Sequence, residues 1–296
     1  MPVNSLEHHR LGLTLAGAGF VLISLDSLGI RLAETAGWDT AFWLGLFTFL
    51  AMLVLVPLRT GESLPRAALK AGLPIAASGV LQAASIAFFV VAVTLTTVAN
   101  TVAIIAAAPV MAALISHVAI GERTGLRTWI GILASITGIM VIVSGSLGRG
   151  RLTGDLAAVA AIIAFASNMT VLRRYPDLNR LAVVGTGGFL LALIAFGPAE
   201  PFAVEPRSIF VLAVLGAVTG AAGRVAVSSS TRYLPAARVS LFAPVETVSA
   251  TTWAWLFLGE APPAATVVGG IIVVIAVVYG TTGVTTAGTE DLATAP

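Results

Sequence analysis

Seven charged, amide or imidazole side chains stand inside long apolar stretches of this 296-residue chain: Asp26, Gln82, Asn100, His117, Asn168, Arg224 and Glu246. A polar group in hydrocarbon is costly unless it faces protein or a wet cavity, so such residues are candidates for function. Arg224 carries a planar fork suited to a carboxylate. Glu246 suits an ammonium, or it carries a proton. A zwitterion would match both. The competing arrangement is that Arg224 and Glu246 pair with each other and hold their helices together. Asp26 either adds polarity and handles protons in an interior cavity, or lies near enough to its helix end to reach water or Arg31. Asn100 and Asn168 either hydrogen-bond a ligand or join helices, a contact worth about 0.6 kcal/mol on average in membranes. Gln82 shares a helical face with Ser78, Ser85 and Phe89, at spacings that suggest a wet stripe with an aromatic floor. His117 reads as interfacial, and His8 and His9 as surface residues. Of Trp253 and Trp255, two apart, at most one faces a cavity.

The elements that must position these residues follow from composition. Hydrophobic residues make up 57% of the chain and charged ones only 10%, against about 25% charged in soluble domains. The chain reads as an integral membrane protein in contact with a lipid bilayer. With no cysteine, disulfides, thiolate catalysis and Cys-ligated metals are excluded. The bases fall between apolar runs, which argues against nucleic acid. Ala71 to Gly121 holds no Asp, Glu, Lys or Arg, too long a run for one span of about 20 residues. The same reasoning gives ten spans, near 11–32, 40–58, 72–93, 98–119, 128–147, 154–173, 181–198, 208–231, 236–258 and 264–284. Eleven Lys and Arg then fall on the side of the N-terminus and four (Arg31, Arg149, Arg151 and Arg207) on the other, so both termini are expected in the cytoplasm.

The stretch Val98–Glu122 returns as Ala236–Glu260. Each is apolar, carries a proline (Pro109, Pro244) and stops at Gly-Glu, with Gly121 and Gly259 138 residues apart. The prolines are candidate hinges, or static kinks that shape the bundle. Asp26 and Asn168, 142 residues apart, each precede an arginine by five. Two halves follow, 1–148 and 150–286, with a disordered tail over 287–296. Five spans per half force the second to enter the membrane inverted. Such repeats place a ligand site at their interface near the midplane.

Two five-helix halves, each with a proline-bearing helix ending in Gly-Glu and then a Gly-rich apolar helix (Gly131 to Gly145, Gly269 to Gly280), resemble the EamA-type transporters of the drug/metabolite transporter superfamily. Within it the chain looks most like the YddG-like aromatic amino-acid exporters. The resemblance implies an all-α basket of ten transmembrane helices around a central cavity. It also implies export of amino acids and related small metabolites across the bacterial inner membrane by alternating access. A nucleotide-sugar, drug or lipid-headgroup carrier of the same superfamily is the alternative. One departure is that the family often has Glu-Pro where this chain has Glu246-Thr247. The substrate-binding candidates are Gln82, Ser85, Phe89, Asn100, Asn168, Arg224 and Glu246. No Walker A motif occurs, so ATP coupling within this chain is not expected; neither HExxH nor Gly-x-Ser-x-Gly occurs, so an enzyme is not expected. No cofactor or metal is expected, and a monomer is, since ten helices can close a cavity within one chain.

Overall fold

A computed structural model describes residues 3–96, 98–144, 152–259 and 261–281, apart from the side chains of 3–5, 27, 30–31 and 98–100. The described elements are helical throughout. In chain order they are α1 (Val3–Ala33), α2 (Gly37–Thr60), α3 (Leu64–Ala71), α4 (Leu73–Leu95), α5 (Val98–Ile105), α6 (Ala108–Ile120), α7 (Leu126–Val143) and α8 (Leu152–Arg174). Then come α9 (Arg180–Phe196), α10 (Pro206–Val214), α11 (Gly220–Ser230), α12 (Ala236–Ser240), α13 (Ala243–Leu258) and α14 (Ala264–Thr281). Among the described residues seven helical runs are long and apolar enough to cross a membrane, and the shorter α9 is apolar as well. The expected tail and Glu260 lie outside the described residues. The amphipathic α3 falls where only a loop was expected: Leu64 and Ala67 are buried while Arg66 and Lys70 face out.

The two Gly-Glu stretches fold alike. Pro109 is the second residue of α6 and Pro244 the second of α13, each after a two-residue interruption, Ala106–Ala107 and Leu241–Phe242. The expected kinks are therefore short interruptions: Ala107 and Phe242 stay in the right-handed helical region and the helix resumes at once. Proline is tolerated at a helix start, where its missing N–H has no intrahelical partner anyway. Both helices end on a glycine at φ 70°, the left-handed conformation that glycine adopts without strain.

Helix α7 packs on α14, α2 on α9, α4 on α8 and α1 on α11. Glycines set the close approaches, as small residues do in membranes. A Cβ on Gly131 would meet Gly280 Cα at 2.7 Å, and one on Gly138 would meet Gly269 O at 2.8 Å. Numbering rises on α7 as it falls on α14, so the two are antiparallel. The same holds for α2 and α9, where a Cβ on Gly45 would meet Gly188 O at 2.8 Å and one on Gly185 would meet Met52 Cβ at 2.7 Å.

Candidate functional site

The break before Pro244 sets the position of Glu246. It lies in the first turn of α13, where free backbone N–H groups and the helix dipole favour a negative charge. Glu246 is half-buried and within electrostatic reach of Asp26 and Arg224. Among the described residues no hydrogen-bond donor or ion-pair partner reaches its carboxylate.

Arg224 does not pair with Glu246. Its Nη2 donates to Asp26 Oδ2 at 2.9 Å, an ion pair between α11 and α1 whose side chains are 15% and 9% exposed. Asp26 thus takes a charge partner from the second half of the chain; the side chain of Arg31, the other partner considered, lies outside the described ones. Arg224 reaches back along its helix, the direction helical side chains favour, and lies over Gly220. A Cβ at 220 would collide with Arg224 Nη1 and stand 2.9 Å from Asp26 Oδ1. Just before it, Leu215–Thr219 forms a π turn, a local irregularity frequent at functional sites. Thr48 of α2 steadies that turn by donating to Gly216 O at 2.8 Å. Asp26 Oδ1, Arg224 Nη1 and Thr219 Oγ1 are enclosed with no hydrogen-bond partner among the described residues. Trp253 Nε1 donates to Ser24 Oγ at 2.9 Å, tying α13 to α1 two residues from Asp26; Trp255 is 53% exposed and faces outward.

The remaining candidates lie elsewhere. Ser78 Oγ donates to Asn168 Oδ1 at 2.6 Å, and Ser85 Oγ to Ala161 O at 3.1 Å. Both join α4 to α8, and Asn168 is buried. Gln82 lies against Gly187 of α9. Phe89 is half outside, 40% exposed, so it gives the α4 stripe no enclosed floor. Asn100 lies on α5, but its side chain is outside the described ones. His117 is exposed; His9 is half-buried, its ring Nε2 3.2 Å from Thr281 O. Burial and the nearby Arg238 hold His9 below its ordinary pKa.

Glu122 shows what the Gly-Glu motif does structurally. Its Oε1 accepts from Arg173 Nε at 3.0 Å, and its Oε2 accepts the backbone N–H of Ala236, the first residue of α12, at 3.1 Å. Arg173 also donates to the carbonyls of Thr231 and Arg232. One carboxylate thereby caps α12 and fastens α8 to the loop after α6. At the opposite end, where α1 and α13 finish and α2 and α10 begin, a cavity of about 690 Å³ is lined by Glu34, Asp39, Glu200, Glu205, Arg207 and Leu258 among others. Gly220 belongs to a small-residue spacing (Gly216, Gly220, Gly223) that the sequence offers for close helix packing, but its contact with the ion pair, the π turn and the role of Glu122 are not read from it. Extending the 142-residue offset beyond Asp26 would have set Gly220 against Ser78 and Arg224 against Gln82.

A model of the EamA-like transporter family matches residues 10–144 and again 152–281. The chain is 24% identical over 179 residues to a protein of Bacillus subtilis (strain 168) named as the uncharacterized transporter YdfC, an alignment covering 58% of each. It therefore spans less than two thirds of that relative. A solved crystal structure shares the fold with a TM-score of 0.77 at 16% identity, over 93% of this chain and 97% of its own.

Proposed function

Because the chain belongs to the EamA-like transporter family, a family of multi-pass membrane transporters rather than enzymes, we propose that it is a secondary transporter exporting amino acids, aromatic and hydrophobic ones among them, and related small metabolites. Export runs across the bacterial inner membrane by alternating access, with both termini cytoplasmic. The observation that carries this reading is the Asp26–Arg224 pair with unpartnered Glu246 beside it. Charge is expensive at membrane depth and marks substrate and ion pathways.

Ten spans in two inverted halves fit the helix pairing. The two family matches each take in five of the expected spans. Spans two and seven (α2, α9) and spans five and ten (α7, α14) occupy matching places in their halves and run antiparallel, as inversion requires. Span one packs on eight through α1 and α11, and span six on three through α8 and α4, the same pairing with the halves exchanged. Substrate sites of inverted-repeat transporters lie between the repeats, where broken helices turn their ends inward. The break at Pro244 provides such an end, and Pro109 and Pro244 are the proposed hinges.

The test is a panel of labelled amino acids in proteoliposomes, with and without a pH gradient. Saturable flux of an amino acid is expected. If no amino acid moves while a lipid or nucleotide sugar does, the reading fails. Glu246 is also the proposed proton carrier; flux by Glu246→Gln that still follows a pH gradient removes that role.

A further inference from the structure

We infer that this site recognises the ammonium group of its substrate through Glu246, and that Arg224 takes no part in holding a substrate carboxylate. The inference rests on the transporter reading above and names the chemistry of the same site.

The two charged groups suited to a zwitterion are in unlike states. Arg224 already has its carboxylate: Nη2 is bound to Asp26 at 2.9 Å, and Nη1 is enclosed against Gly220. Asp26 is itself buried and tied into the same contact. A substrate carboxylate would have to strip Asp26 from Arg224 and leave it unpaired at membrane depth, which is strongly unfavourable.

Glu246 is in the opposite state. It has no partner among the described residues, is half-buried, and lies in the first turn of α13, the end of a helix that attracts an anion. With both carboxylates ionised, two against one guanidinium leave the centre one positive charge short. An ammonium supplies that charge and leaves the Asp26–Arg224 pair intact.

The surroundings suit an apolar body on that ammonium. Trp253 follows Glu246 by seven residues, two turns along the same face of α13, about 10 Å away. Its indole is held to Ser24 of α1. A carboxylate with an aromatic ring beyond it matches an arylalkyl amine, whose cation is also attracted to aromatic faces.

The test uses the purified full-length protein in detergent and three probes that share a phenylethyl body: phenylalanine, phenethylamine and 3-phenylpropionate. Calorimetric titration should find phenethylamine within about threefold of phenylalanine, and 3-phenylpropionate weaker by about tenfold or more. Glu246→Gln should weaken both ammonium ligands by about tenfold. Asp26→Asn, which frees Arg224, should raise affinity for 3-phenylpropionate. The wild-type comparison stands even if a variant fails to fold. Binding of 3-phenylpropionate as tight as that of phenethylamine overturns the inference while leaving the transporter reading in place. If none of the three binds and no amino acid moves in proteoliposomes, the amino-acid reading falls and this inference with it.

Discussion

The same helix crossing occurs twice in this molecule, and only one copy carries charge. Where α8 meets α4, Ser78 bonds directly to Asn168, and Ser85 reaches the carbonyl of Ala161. Each of these four has a counterpart across a 142-residue offset: Gly220, Asp26, Val227 and Gly19. These meet where α1 crosses α11. There a Cβ on Gly19 would meet Val227 N at 2.9 Å, and one on Gly220 would meet Asp26 Oδ1 at 2.9 Å. The offset also sets Gln82 against Arg224. Where serine is present, it satisfies the amide across the interface, and Gln82 turns away to α9. Where glycine is present, the gap is filled from the next turn by Arg224, which reaches Asp26. Three paired differences, Ser78 for Gly220, Gln82 for Arg224 and Asn168 for Asp26, thus separate a neutral helix joint from a buried ion pair with Glu246 beside it.

Replacing Arg224 by its counterpart, Arg224→Gln, should have the largest effect. It leaves Asp26 buried without its cation, at a cost of about 3–5 kcal/mol, and should abolish flux while the protein still inserts. Thermal melting in detergent and proteoliposome flux check both parts. Gly220→Ser imports the other copy's residue directly. The new side chain would displace the guanidinium and offer Asp26 a hydroxyl, so flux should fall by about tenfold with a stability loss near 1 kcal/mol. Unchanged flux would mean that the gap at 220 does not set the position of Arg224. Glu122→Ala removes the cap on α12 and the Arg173 pair, for about 1 kcal/mol of stability, read as a lower melting temperature. Ser78→Ala at the neutral crossing should cost least, about 0.6 kcal/mol, with flux close to wild type.

Much of the scaffold was legible in the sequence, because apolar length and the charge-free run from Ala71 to Gly121 locate helices without any tertiary knowledge. The Gly-Glu echo located the two helix ends, and both glycines are left-handed as a helix stop requires. The contacts inside were less legible. Arg224 and Glu246 are both on late helices and looked like natural partners. Partner choice depends instead on which helices cross, and α11 crosses α1 in the other half of the chain. The charged pair therefore belongs to both halves. Pro244 looked like a kink in mid-span, so Glu246 seemed to lie in a helix interior. The break places it at a helix start, which changes what its charge costs. Periodicity sets Ser78, Gln82, Ser85 and Phe89 along one side of α4, but it cannot say that Ser78 and Ser85 are turned to α8 and Gln82 to α9.

Flux of labelled phenylalanine through proteoliposomes containing Arg224→Gln or Ser78→Ala, with equal amounts of inserted protein, sets the two crossings against each other. The charged crossing serving transport and the neutral one serving packing predicts that flux is lost in the first and retained in the second. Comparable flux in both, or loss only with Ser78→Ala, would contradict it.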